Sequence, residues 1–210
     1  NFEDAKPKNN EPELEKWLSF TKQHSRLDDF LCEFPAQYGS ENEKPTTVWA
    51  KVKTKLKDLD TSKLHYVNVP EGENLVVIDF DYKGKDGKKS KELNLKAAAA
   101  WPKTYGEYSK SGAGVHLCYI YAGDTSKLSY RIDENVEVKV FTADASLRRK
   151  LSECNDLPLA TISSGLPFRE EKTVVNFEAA KSEKKLRERI MKTVNHEYEN
   201  IPSTKSSVDF

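Results

Sequence analysis

The run Leu75-Val76-Val77-Ile78-Asp79-Phe80-Asp81 limits what this chain can fold into more than any other stretch. Its β-branched and aromatic residues predict a strand. Side chains alternate along a strand, so Val76, Ile78 and Phe80 share one face, and Val77, Asp79 and Asp81 share the other. The two carboxylates then sit about 7 Å apart at the strand end and repel unless a cation lies between them. A divalent metal with oxygen ligands meets that need. The plainer reading is a strand that runs out into a polar turn.

The rest of the chain is that of a globular protein. It has 210 residues, 37% of them hydrophobic and 32% charged, with 3 Trp, 9 Tyr and 9 Phe, which excludes a disordered polymer. Such a length buries roughly 70% of the surface exposed on unfolding and needs no disulfide or structural metal. Apolar runs such as 75–78 and 97–101 are too short to cross a membrane, and no secretory signal is visible. Cys32, Cys118 and Cys154 lie far apart without a C-x-x-C pair, which excludes a zinc finger or ribbon. So sparse and odd a set points to a reducing cytoplasm. Lys and Arg total 34, as do Asp and Glu, for a net charge of zero, but the charge is segregated, so a nucleic-acid partner stays open. The chain starts on Asn1 and ends on Val208-Asp209-Phe210, as if cut from a longer protein.

Periodicity predicts a mixed α+β fold. Leu14, Trp17, Leu18, Leu27, Phe30, Leu31 and Phe34 follow helical spacing up to Pro35, and Trp49, Val52, Leu56 and Leu59 predict a second helix capped by Thr46 or Thr47. Strands are expected over 66–69, 75–81, 115–121, 135–141, 159–163 and 174–177. Helices are expected over 93–101, 146–154 (short and basic) and 178–197. The expected divisions are an N-terminal helical part over 1–60, a core over 61–178, a helix over 179–200 and a linker over 201–210.

Two further segments carry chemistry. In Ser109-Lys110-Ser111-Gly112-Ala113-Gly114-Val115-His116, two glycines let backbone amides approach an anion, and Ser109, Lys110, Ser111 and His116 add donors. An ordinary hairpin turn with a half-buried histidine is the bland alternative. In Val136-Glu137-Val138-Lys139-Val140-Phe141 the valines share one face, and Glu137 and Lys139 the other, either as a solvent-facing ion pair or as functional groups.

Taken in order, these segments resemble the archaeo-eukaryotic primase superfamily, and within it the primase-polymerase domains of phages and plasmids. The resemblance covers roughly residues 60–168. Asp79 and Asp81 match the family's first motif, Ser109 to His116 its Ser-x-Ser-Gly-x-Gly-hydrophobic-His motif, and Glu137 its third, acidic motif. A downstream basic residue contacts nucleotide in the family, for which Arg148, with Arg149 next, is the candidate.

The resemblance implies an N-terminal α/β unit packed with a ferredoxin-like (RRM-like) antiparallel sheet, the site lying in the cleft between them. It implies template-directed nucleotidyl transfer, as DNA primase or DNA polymerase. Asp79, Asp81 and Glu137 would hold two Mg²⁺ or Mn²⁺ ions. Ser109, Lys110, Ser111, Gly112, Gly114, His116, Lys139 and Arg148 would bind the dNTP or NTP. Partners would be a single-stranded DNA template, a primer-template duplex, and a helicase or helical region of the same longer chain. The chain alone would extend primers but start them poorly.

The main rival is a metal-dependent nuclease, because Asp79 with Glu137-Val138-Lys139 matches an Asp…Glu-x-Lys constellation. Such nucleases place these residues on adjacent strands, and the long interval in this chain, with no role for the glycine turn, counts against it. A non-catalytic nucleic-acid-binding domain is the third reading. Lys83, Lys85, Lys88 and Lys89, with Lys91, crowd one loop and are candidates for DNA phosphate contacts or for a solvated surface. The basic residues of 181–192 read as a solvated helix face.

Overall fold

The computed structural model describes residues 16–141 and 145–169, together with the helical positions Glu183, Lys184, Arg187, Glu188 and Met191. Contacts group residues 1–169 in one unit and 170–210 in another.

The first unit is mixed α+β and mostly sheet. Among the described residues it has eight strands: β1 (Ala36–Tyr38), β2 (His65–Asn68), β3 (Leu75–Phe80), β4 (Tyr105–Tyr108), β5 (Val115–Tyr121), β6 (Val136–Val140), β7 (Ser146–Arg149) and β8 (Ala160–Ile162). Helices α1 (Arg26–Leu31) and α2 (Lys91–Ala98) complete it, with several single 3-10 turns. Strands β4, β5, β3 and β6 lie in that order, each antiparallel to its neighbour. Strand β8 joins β5 in parallel at Tyr119–Tyr121, past the stretch that β4 pairs. Strands β1, β2 and β7 form a second antiparallel sheet.

Strand β3 is buried along its whole length. One face of the larger sheet carries Val76, Ile78, Phe80, Leu117, Tyr119 and Val138 into a core with Leu95 and Ala98 of α2 and with Trp17, Leu18 and Phe20. The other carries Leu75, Val77, Tyr105 and Cys118 into a core with Leu27 and Leu31 of α1 and with Val67 and Leu147 of the smaller sheet. Each helix starts at a serine whose hydroxyl accepts an orphan amide: Ser25 from Asp28, at 3.1 Å, and Ser90 from Leu93, at 3.3 Å.

Three predicted helices are not formed as expected. Residues 16–34 hold a 3-10 turn (Lys16–Leu18) and the short α1, because Lys22 and Cys154 exchange backbone hydrogen bonds of 2.8 and 2.9 Å that interrupt a helix. Between Trp49 and Leu59 only two 3-10 turns form, Trp49–Lys51 and Leu56–Asp58. There Thr54 O accepts from the Ala36 amide and the Leu56 amide donates to Phe34 O, so the backbone pairs with β1's entry instead of with itself. The segment from Ser146 is strand β7, hydrogen-bonded to β2, and not a basic helix. Strands β1 and β4 have no counterpart among the expected elements. The strand expected at 174–177 lies outside the described residues, as does most of the helix expected at 178–197, whose five described positions are helical. The three cysteines are free. Among the described residues, no helix is long and apolar enough to cross a membrane.

Candidate functional site

Strand register aligns the charged residues. Glu107 of β4 lies opposite His116 of β5, His116 opposite Asp79 of β3, and Asp79 opposite Glu137 of β6. An isolated bridge adds Arg131 opposite Glu137. All therefore stand on one face, in a row across the sheet. The His116 ring lies between two carboxylates, Nε2 3.3 Å from Asp79 Oδ1 and Nδ1 3.6 Å from Glu107 Oε1. Burial by itself would lower the imidazole pKa, but the two carboxylates outweigh it and raise it to about 9.

On the Glu107 side the row ends in a saturated network. Arg149 donates to Glu107 Oε2 (2.6 Å), Ser25 Oγ (2.8 Å) and the Tyr105 hydroxyl (3.1 Å), and also pairs with Asp28. The Tyr105 hydroxyl itself donates to Glu107 Oε2 at 2.7 Å. The side chains of Arg149 and Glu107 are 3% and 4% exposed. Burial lowers the guanidinium pKa to about 10.

On the other side Asp79 Oδ2 accepts from Lys139, whose side chain is 42% exposed. Burial pushes the Asp79 carboxyl up, but His116 and Lys139 overcome it and hold it well below the usual carboxylate range. The His116 contact lacks hydrogen-bond geometry, so Asp79 Oδ1 is a buried carboxylate oxygen without a hydrogen-bond partner. Asp81, one residue past β3, accepts from Lys89 at 2.5 Å, and Glu137 lies 3.5 Å from Arg131.

The glycine turn packs against Asp81. The Gly112 amide donates to Ser109 O (2.8 Å) and the Gly114 amide to Ser109 Oγ (3.1 Å), so these two amides are taken within the turn. The glycines supply shape instead. Gly112 has φ +75, and a Cβ on Gly114 would come within 2.6 Å of Ser109 Oγ and 2.9 Å of Asp81 Oδ1. One side chain joins this turn to the aspartate strand. Asn94 of α2, fully buried, accepts the Tyr82 amide at 2.7 Å and donates to Ala113 O at 2.8 Å.

A cavity of about 550 Å³ opens beside the row, lined by both sheets. Lys89, Lys110, Lys139, Arg148, Arg149, Lys150 and His116 line it, against one acid, Glu107. Val77, Cys118, Phe141 and Leu147 supply apolar surface. A concavity with so many cations, most of them held by acids at its edge, and an apolar surface suits a ligand that has several negative charges and a flat apolar part.

Of the residues singled out from the sequence, Ser109, Lys110, Ser111, His116, Lys139 and Arg148 line this cavity; Asp79, Asp81, Gly112, Gly114 and Glu137 do not, Asp79 and Glu137 standing in the row and Asp81 against the glycine turn. Arg148 and Arg149 alternate on β7, and only Arg148 keeps an exposed head, paired with Glu43. Lys83, Lys85 and Lys88 are exposed, while Lys89 is engaged by Asp81. Glu107 and Glu43 have no signal in the sequence, since each meets its partners only through the fold. No family model matches the chain, and no curated protein matches it in sequence.

The donors fit a hard divalent cation in kind. Asp79, Asp81 and Glu137 all offer carboxylate oxygens, Asp79 and Glu137 side by side on one face, and Asp79 Oδ1 accepts no hydrogen bond although the His116 ring lies 3.3 Å away. They are not gathered: among the described residues, no three His, Cys, Asp or Glu side chains are grouped to hold an ion.

Proposed function

We propose that this protein is a template-directed nucleotidyltransferase of the primase-polymerase kind. The observation that carries the reading is convergence. Three segments far apart in sequence, 79–81, 109–116 and 137–139, come together on β3, β5 with the turn before it, and β6, and the last two supply residues to one cavity lined by cations. The strand order adds support. Following β3, α2, β4, β5 and β6 in chain order, the sheet order β4-β5-β3-β6 is that of a ferredoxin-like sheet, with the 3-10 turn Thr125–Lys127 where its second helix would stand.

In this reading the triphosphate enters the cavity. Lys110, Ser111 and Arg148 meet it from the rim, and His116, kept protonated by its two carboxylates, adds positive charge behind them while both its ring nitrogens face those carboxylates. The Arg149–Glu107 network fixes the histidine's surroundings so that no reorganisation is needed when charge shifts on the phosphates. Asp79, Asp81 and Glu137 would hold Mg²⁺ or Mn²⁺, which would supply charge neutralisation for an in-line displacement. Lys139 compensates Asp79 and lies where it can follow charge between carboxylate and phosphate.

One observation favours a second reading. Asp79 and Glu137 face each other on adjacent strands, with Lys139 two residues on, so the long interval in sequence is no obstacle to a nuclease arrangement. The products decide. A labelled primer on a longer template, with dNTPs and Mn²⁺, should lengthen. Shortening of the DNA without nucleotides would replace the polymerase reading with the nuclease one.

A further inference from the structure

Glu43 belongs to no motif in the sequence, yet it holds two of the cavity's cations. It lies in the loop between β1 and β2, with left-handed backbone at φ +53. Few glutamates adopt that conformation, so the surrounding loop must impose it. The loop is built to do so. The Glu43 amide donates to Ser40 O and the Ser40 amide to Lys44 O, both at 2.9 Å. The Tyr66 hydroxyl donates to Glu43 O. The buried Gln37 side chain accepts the Thr46 and Thr47 amides at 2.9 and 2.8 Å and donates to Thr47 O at 2.7 Å.

From this support the carboxylate bridges two separate segments. One oxygen pairs with Lys110 of the glycine turn and the other with Arg148 of β7. Both cations line the cavity. A carboxylate that spans a lysine and an arginine in this way takes the place two oxygens of a phosphate group would take. Its side chain is about half exposed, so water solvates it readily once it is displaced.

We propose that Glu43 is an internal competitor for the ligand's phosphates: it occupies Lys110 and Arg148 in the free protein and is displaced when a polyphosphate binds. The inference rests on the nucleotide reading of the cavity. The two cations stay ordered and mutually close while the site is empty of ligand, and affinity is set by the difference between two anions and not by the ligand's charge alone.

Calorimetric titration of the full chain with inorganic tripolyphosphate, and separately with dATP, tests this without template or turnover. Exposed pairs of this kind are weak, so Glu43→Gln should bind both probes about three- to tenfold more tightly than wild type. Glu43→Gly removes the carboxylate and relieves the left-handed backbone. It should behave as Glu43→Gln does, which guards against a folding artefact. Glu41→Gln, in the same loop, removes the same net charge and should change affinity less than twofold. Unchanged or weaker binding in both Glu43 variants overturns the proposal, as does an equal gain in Glu41→Gln. If neither wild type nor Glu43→Gln binds either probe, the nucleotide reading falls as well, which separates the two failures.

Discussion

Arg149 and Lys139 each neutralise a buried carboxylate on the same face of the sheet, but the two ends of the row are built differently. Around Arg149 every partner is satisfied: Glu107, Asp28, Ser25 and Tyr105 all share its guanidinium, and Arg149 and Glu107 are almost fully buried. At Lys139 the ammonium is partly in solvent, and the other oxygen of its partner Asp79 has only the His116 ring 3.3 Å away, outside hydrogen-bond geometry. A saturated buried pair holds a fold in register, whereas an under-satisfied one beside a cavity leaves capacity for a ligand. Charge by itself does not distinguish scaffold from site. The number of partners left over does.

The sharpest way to break this comparison is at the open end. Asp79→Asn combined with Asp81→Asn should reduce nucleotide incorporation to background in a primer-extension assay, with an unchanged circular dichroism spectrum. Near wild-type extension would remove the carboxylates from the chemistry. The closed end should respond in stability instead. Arg149→Met strands Glu107 and Asp28 and should lower unfolding stability by about 3–5 kcal/mol in urea titrations.

His116 lies between the two ends and should report on both. Its pKa is raised from the ordinary 6.5 to about 9 in the fold. Its contribution is therefore complete below about pH 6.5 and is lost as pH rises through about 9. In EDTA, wild type should lose of order 1–3 kcal/mol between those values beyond what His116→Gln loses. Parallel pH profiles for the two proteins would show that the imidazole is not held charged. The smallest effect is expected next door to the largest stability loss. Arg148→Met should change stability by less than about 1 kcal/mol, because its pair with Glu43 is exposed.

The strands that carry the row are legible in sequence because alternation is a strong signal where one face is apolar and the other charged. Strands β3, β5 and β6 fall within a residue or so of the expected bounds. Strand β7 reads as helix because Ser-Leu-Arg-Arg has one apolar residue, and its extended form comes from pairing with β2. The Trp49–Leu59 spacing mimics a helix because two 3-10 turns set apolar residues at similar intervals. Glu107 is out of reach for another reason. In Tyr-Gly-Glu-Tyr a lone acid gives no period; its partner His116 is supplied by strand register and Arg149 by the facing smaller sheet. Nor can sequence tell Arg148 from Arg149, since their opposite roles depend on which way a strand faces.

The Asn94 amide, bonded at one end to the aspartate strand's exit and at the other to the glycine turn, has a consequence for timing. Two loops on independent stems would each have to be immobilised when a ligand arrives, and that ordering would weaken binding. With a single rigid amide between them, fixed in a fully buried place on α2, their separation is settled when the chain folds. The loss of freedom then occurs once in the life of the molecule and not once per encounter, and a ligand meets both loops already at their working distance.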